Sequence, residues 1–509
     1  TILNGDLNGT HNISVTNANV LALAGYSQGD VISWKAVITD KSGNVTTGAA
    51  SATTLTVDTI VPTVSSVTST NGDYKLGESV DIVVTFTTDV SITGTPQLTL
   101  NTANSPGTAD AAVDKSGLTG GDVTFAYTVG ATHYSADLDY KSTTALGLNG
   151  GTITDVAGNP ATLTLPTLGT LPAAREINID GVTPAAFSTG AVITVGGAVV
   201  AGYLNEDNTS VKVTVPIAND ASLESGKLYI QAKIGSNAYA NVASAYTITS
   251  GDLNKDKTVS VAESDLDGIT GFAEGVAISF AGVLEDYADG AGGTGNKTTG
   301  TASATTLTVD QDDPAAFTVG AVTTVTAPIV AGKWNVHNTG ITVVVPIANE
   351  ATLEGGKVQI IAKIASTAYE NIGGSVTIAS GDLGGNITVS ISAAVFEAIN
   401  TSLSDGDVVT INAKIDDVAG NQTQGTASTT TLTVDQTPPT VSYVSSDTSD
   451  ASPFQIGDLV PLTVKFNDNV NILTSGGTPY ISLDTDESPG SSTTTAPYSS
   501  GTGSSDIIF

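Results

Sequence analysis

Residues 252–263 read Asp-Leu-Asn-Lys-Asp-Lys-Thr-Val-Ser-Val-Ala-Glu, with an oxygen-bearing side chain at nearly every second place. Asp252, Asn254, Asp256, Thr258, Ser260 and Glu263 fall on the first, third, fifth, seventh, ninth and last positions of a twelve-residue loop, and Val259 takes the apolar eighth. Wrapped into a loop, that spacing gathers oxygens around a point. A hard cation such as calcium, which takes about six to eight oxygen ligands, needs that arrangement. Lys257, however, stands where such loops carry glycine. Two equivalent stretches also lack the set: the one from Asp382 has Gly384, Asn386 and Ala393, and the one from Asp6 has Thr10 and Asn17 in place of Asp256 and Glu263. Two readings therefore stand: a cation loop special to one copy, or an acidic surface loop between strands.

The stretch belongs to a repeated unit. "PAAFSTGAVITV" from Pro184 returns as "PAAFTVGAVTTV" from Pro314, "VKVTVPIANDASLESGKLYIQAKI" from Val211 as "ITVVVPIANEATLEGGKVQIIAKI" from Ile341, and "SGDLNKDKTVSV" from Ser250 as "SGDLGGNITVSI" from Ser380. These are two copies of one domain, type B, and "NGDLNGTHNISV" from Asn4 matches its middle. A second type, A, begins "VPTVSSVTSTNGDYKLGESVDIVVTF" at Val61 and recurs from Pro438, and the closing "DIIF" falls where the first A copy has "DVTF" at 122–125. The expected order is thus the second half of a B at 1–60, A at 61–183, B at 184–313, B at 314–437 and the first half of an A at 438–509. "ASATTLTVD" at 50–58 and 302–310, and "ASTTTLTVD" at 427–435, then mark the last strand of each B.

Within a unit, apolar residues alternate at period two, as in Val80, Ile82, Val84, Phe86, in Val123, Phe125, Tyr127, Val129, and in Leu228, Ile230, Ala232, Ile234. Such strands bury one face. Turn signals such as "TNGD", "ESGK", "LNGG" and "VAGN" punctuate them, and the pattern predicts an all-β fold of tandem Ig-like antiparallel sandwiches. Short helical pieces are expected at "AESDLDGI" and "SAAVFEAI", and no long amphipathic helix is expected. The linkers "VDTIVPT", "IDGVTPA", "VDQDDPA" and "VDQTPPT" each contain proline, which restricts the backbone, so the domains should form an extended rod.

That order brings a second set of acids into play. In such a sandwich the loop before the last strand lies at the end where the linker enters, so Asp155 should approach Asp58, Asp286 should approach Asp180, and Asp417 should approach Asp310, Asp312 and Asp313. Carboxylates from both sides of a joint repel unless a cation bridges them, which makes these joints candidate calcium sites. The alternative is that Asp in "DVAGN" and "DKSGN" caps its own turn.

"TLTVDQTPPTV", "DVAGN", "NGDYKLGESVDIVVTF" and "ALGLNGGTITDVAGNPATLTL" resemble the Ig-like repeats of very large bacterial and archaeal surface proteins, among them adhesins, extracellular fibres and surface-layer proteins. The resemblance covers essentially the whole chain. It implies an extracellular location at the cell surface, frequent calcium at the junctions and no catalysis.

Composition narrows the field further. Seventeen Lys and Arg against 50 Asp and Glu give a formal charge of −33, a field that repels nucleic acid and attracts cations. Cysteine and methionine are absent, which excludes disulfides and thiolate chemistry, and no apolar run approaches the length of a membrane span. A chain opening on Thr1 is expected to be a processed or excerpted piece. His11, His133 and His337 are far apart and read as surface residues, and Trp34 and Trp334 as packing residues. "GAGGTGNK" near 290–297 reads as a loop insertion, since the second B copy is shorter there. Sequons at Asn8, Asn12, Asn44, Asn208, Asn296, Asn386, Asn400 and Asn421 are permitted glycosylation sites. The expected function is a structural, non-catalytic segment of a long surface protein that associates with other copies into a surface layer or fibre, with calcium-stiffened linkers. The rival is a stalk or binding region of a calcium-dependent adhesin that recognises glycan or protein.

Overall fold

Val, Ile and Thr dominate the alternating segments, and their branched side chains suit a pleated, half-buried surface. The computed structural model describes residues 1–3, 6–103, 108–169, 177–287, 295–399, 403–446, 454–455, 457–484 and 493–509, and almost every regular element among them is a strand. The chain forms two compact units. One holds residues 1–193, 210–272 and 276–306, and the other residues 194–209, 273–275 and 307–509.

In the first unit, the type-A segment builds a six-stranded sheet whose central strands Ser79–Phe86 and Asp122–Thr128 pair antiparallel, Ile82 opposite Phe125. Val80, Ile82, Val84, Phe86, Val123, Phe125, Tyr127 and Val129 all point into one core, as the alternation predicts. A smaller sheet closes the end from which the chain leaves: Ile177–Asp180 runs parallel to Gly72–Lys75 and antiparallel to Tyr134–Ser135. Beyond it, Ser210–Ile217 pairs with Lys255–Ala262 and Lys227–Ile234 with Ala277–Glu285. Leu228, Ile230, Ala232 and Ile234 are buried. His133 departs from expectation. It packs against Tyr127, whose hydroxyl bonds Nδ1 at 2.9 Å, while the Gly130 N–H donates to the same nitrogen at 3.0 Å. An aromatic partner holds the ring partly buried.

The second unit contains one complete type-B sandwich. Val322–Val325, Gly340–Pro346 and Asn386–Ser392 form one sheet. The other centres on Lys357–Ile364 and Val408–Asp416, and its final strand Leu432–Asp435 lies antiparallel to Val408–Asp416 and parallel to Lys333–Asn335. "TLTVD" is therefore a terminal strand here. Trp334 is fully buried against Phe396, with ring centroids 4.6 Å apart, as a packing residue should be. The short helices Glu263–Leu266 and Ala393–Phe396 occupy the two places where apolar spacing loosens.

Phe317 lies so close to Gly425 that a Cβ there would stand 2.5 Å from its ring, and Phe187 crowds Gly300 in the same way in the first B copy. Overpacking of this kind costs about 1–3 kcal/mol. Gly425→Ala should lower stability by that amount in urea unfolding followed by circular dichroism. Gly374→Ala, where an added Cβ meets nothing within 4 Å, should change it by less than about 0.5 kcal/mol.

Candidate functional site: the acidic domain joints

The "D-x-x-x-N" turn is local chemistry first. An aspartate before such a turn accepts from the backbone N–H groups two to four residues on, which closes the turn without help from neighbours. Asp40 does this in an exposed hairpin, taking Ser42 N–H, Asn44 N–H and Asn44 Nδ2 at 2.8 Å each. Those bonds favour the charged form, and its carboxyl is held below the ordinary range, chiefly by Asn44.

At the three joints the same asparagine also reaches across to the linker. Asn159 closes its turn on Asp155 and donates from Nδ2 to the Asp58 carbonyl at 3.1 Å. Asn296 donates its backbone N–H to its turn partner Asp286 at 2.6 Å and its Nδ2 to the Asp180 carbonyl at 3.0 Å, and receives the Leu76 N–H on Oδ1 at 3.1 Å. Asn421 is bonded to Asp417, donates to the Asp310 carbonyl at 2.9 Å and receives the Glu206 N–H at 3.0 Å. One side-chain amide thus ties the turn, the linker and, at the second and third joints, a loop following a strand of the preceding domain. Asp286 feels Asp180 and Asp310 feels Asp417, whereas Asp155 and Asp58 are linked only through Asn159; at all three joints asparagine makes the connection.

Burial then divides the joints. Asp155 is pushed up by burial, but bonds from Asn159, Gly158 and Ala157 outweigh it and hold the carboxyl low. Asp286, 2% exposed, is pushed up to about 7 by burial and by Asp180 and Asp220, against the bonds from Asn296. Asp310 is pushed up to about 6 by burial, then by Asp417, Glu274 and Asp312. Asp417 is also raised, by burial, although Asn421, Gly420 and Ala419 donate to it. The turn motif is common to all; at the second and third joints burial outweighs the turn's bonds, and a neighbouring acid adds to the rise of Asp286 and Asp310. Asp312 and Asp313 are exposed, and Asp312 still acts on Asp310, raising it by charge while donating its N–H to it. Beside the third joint, Asn205 is fully buried with Nδ2 committed to the Ala198 and Ala419 carbonyls at 2.7 Å each, and its Oδ1 has no donor.

The stretch 252–263 takes neither form expected of it. Its "TVSV" alternation makes it the strand Lys255–Ala262, paired from Lys255↔Ile217 to Ala262↔Ser210, so Asp256, Thr258 and Ser260 spread along an extended backbone and Glu263 opens a helix. The six oxygens do not converge. Asp252 is instead held well below the carboxylate range by Thr249 first, then Tyr246 and Lys257; the lysine at the glycine position reaches its Oδ1 at 3.1 Å. Among the described residues no three acids or histidines gather as a metal cluster.

Three sequons are structural. Asn208, Asn296 and Asn421 are 2–4% exposed and hydrogen-bonded, so no glycan fits on the folded chain there, whereas Asn8, Asn12, Asn44 and Asn386 are exposed. Asn400, and most of the glycine insertion, lie outside the described residues. Sequence reasoning missed Asn159, Asn421 and Asn296. The first two were visible as the last letter of "DVAGN"; the insertion hid the third.

No family model matches the chain, and no curated protein does. Among solved structures it is similar to the FN1–FN3 domains of chicken CNTN1, at 12% identity and a TM-score of 0.26 over 73% of this chain and 97% of that one. Dimeric latent PorU from Porphyromonas gingivalis matches at 11% identity and a TM-score of 0.15, over 74% of this chain and 34% of that one. Red sea bream transglutaminase matches at 14% and 0.16, over 60% and 41%. The all-β sandwich architecture rests on the chain's own strand pairings. At these values nothing about activity passes from those proteins to this one.

Asn421→Ala strands the Asp310 carbonyl and the Glu206 N–H, and each buried group left unpaired costs about 1–3 kcal/mol. The variant should lose about 2–4 kcal/mol in urea unfolding, and Asn159→Ala, at a half-buried joint, about 1 kcal/mol. The raised acids also set a pH dependence. Below about pH 4 Asp286 and Asp310 are protonated folded or unfolded; as pH rises to 7 the unfolded chain ionises first, so stability falls across pH 4–7. Thermal melts in chelator should show that fall, and Asp286→Asn with Asp310→Asn should flatten it.

Proposed function

We propose that this chain is a structural, non-catalytic segment of a long extracellular surface protein that associates with other copies into a surface layer or fibre. The observation that carries the reading is the joint: one asparagine amide, buried at two joints and half-buried at the first, fastens each of three linkers to a turn of the following domain. A chain that invests its buried polar groups in connections between domains is built to hold their spacing. The family resemblance of the repeats supports the surface location.

Calcium belongs to this reading at two joints. The buried Asp286 beside the half-buried Asp180, and the buried pair Asp310 and Asp417, carry negative charge that a divalent cation would neutralise, and the unpaired Asn205 Oδ1 beside the third joint adds an amide oxygen. This donor set fits calcium in kind: hard oxygens, two of them carboxylates, with carbonyls and water to complete the shell. The first joint, where Asp155 is already satisfied, is not expected to bind. Calcium would supply charge balance and rigidity, not chemistry.

Calorimetric titration of the 509-residue chain should find up to two calcium ions, with Asp310→Asn and Asp286→Asn each removing one. Small-angle scattering with calcium should show a stiffer particle than with chelator, and sedimentation should show association favoured by calcium. Absence of binding, with scattering unchanged by chelator, would overturn the calcium joints. A monomer at all concentrations would overturn self-assembly.

A further inference from the structure

In the second compact unit, the sheet formed by Val322–Val325, Gly340–Pro346 and Asn386–Ser392 ends on its last member. Asn386–Ser392 pairs with Gly340–Pro346 alone, from Asn386↔Pro346 to Ser392↔Gly340, and its burial alternates strictly. Ile387, Val389 and Ile391 fill the core, while the side chains of Asn386, Thr388, Ser390 and Ser392 are exposed. The backbone follows the same parity. Val344, opposite Thr388, gives its N–H to the Ala321 carbonyl and accepts the Gly320 N–H, and Pro346, opposite Asn386, has no N–H to give. Because bonded and unbonded pairs alternate along an antiparallel ladder, Asn386, Thr388, Ser390 and Ser392 direct their backbone N–H and C=O groups outward, where no described residue takes them.

A row of open backbone groups is a template for another strand, and proteins commonly blunt it with charge. The first type-B copy does so: the equivalent edge, Lys255–Ala262, opens Lys-Asp-Lys, with Asp256 at the place of Asn386. In the second copy Gly385, Asn386 and Ile387 stand there, and "NITVSIS" carries neither charge nor proline in a chain with 50 acids. The segment is also nearly symmetrical about Val389, with Thr388 and Ser390 flanking it and Ile387 and Ile391 beyond them. Paired antiparallel with its own image across a two-fold axis at Val389, it sets Thr388 against Ser390 and Asn386 against Ser392. Those are the residues whose backbone groups are open, and their hydroxyls then face one another across the strands. A foreign strand has no such match built in, and a strongly negative chain approaches its like at least cost where the edge is uncharged.

We propose that Asn386–Ser392 is a pairing edge for the same strand of a second copy, joining two three-stranded sheets into one. The proposal rests on the reading of this chain as self-associating and names the surface where one contact forms. An isologous contact of this kind closes on itself, so a layer or fibre takes its further growth from other surfaces.

The test uses the 509-residue chain made without glycosylation, since Asn386 heads a sequon, and kept in chelator so that calcium plays no part. Sedimentation equilibrium should show a dimer. Thr388→Lys with Ser390→Lys should weaken it about tenfold or more, and leave the melting temperature of the dilute chain unchanged because both side chains are exposed. Thr258→Lys with Ser260→Lys, at the matching edge of the first copy, should leave the dimer as it is. Register is read separately: the chain has no cysteine, and the pairing puts Thr388 and Ser390 of different copies about 5.5 Å apart at Cα, within disulfide reach. A mixture of Thr388→Cys and Ser390→Cys chains should therefore cross-link on mild oxidation more fully than either alone. Association indifferent to Thr388→Lys with Ser390→Lys would overturn this edge and leave self-association standing. A chain monomeric at all concentrations would overturn both, leaving the edge to a foreign strand. Cross-linking no greater in the mixture than in either chain alone would overturn the two-fold pairing.

Discussion

An asparagine amide buried between two domains must have all its hydrogen-bonding groups met, and the rest of the joint is arranged around that demand. Its N–H groups face a carboxylate of its own turn and a carbonyl of the linker, and at the second and third joints its oxygen faces a backbone N–H of the preceding domain. Because each partner comes from a different segment, the amide is satisfied only when all are in place. The linker path, the turn shape and the neighbouring loop are therefore one cooperative choice.

The aspartate of the same turn shows how environment overrides motif. In the open hairpin the bonds from Asn44 keep Asp40 charged with ease, and at the first joint the same bonds still prevail over burial. At the second and third joints burial weighs more heavily on Asp286 and Asp417, with the charge of Asp180 added at the second, and the same kind of bonds no longer suffice. One sequence pattern thus yields ordinary turns where it is exposed and electrostatically loaded joints where it is buried. The load gives the joints their proposed sensitivity to cations.

Much of this was legible in the sequence. Period-two alternation located the core residues of the long strands, since a sheet with one buried face leaves no other choice for Val80 to Phe86 or Leu228 to Ile234. Repeats marked "TLTVD" as terminal strands, and sandwich topology placed Asp286 by Asp180 and Asp417 by Asp310. The failure at 252–263 is equally instructive: oxygens on alternate residues satisfy a ligand pattern and a strand pattern alike, and the β-branched residues among them decided for the strand. The asparagine latches were hidden because their role depends on partners about 110 residues away, and a sequon reading invited the opposite inference of an exposed side chain. His133 was misplaced for a local reason: the turn after Asp122–Thr128 folds its ring back onto Tyr127, six residues earlier.

The parallel pairing in the complete sandwich bears on mechanical load. The chain enters near Thr318, which lies parallel to Thr426, and leaves along Leu432–Asp435, which lies parallel to Lys333–Asn335. When the two ends of such a domain are pulled apart, parallel neighbours slide past each other, and their hydrogen bonds are strained together in shear. An antiparallel hairpin drawn from its open end yields one bond at a time, like a zip. Tension transmitted from domain to domain would thus meet each sandwich in its more resistant direction.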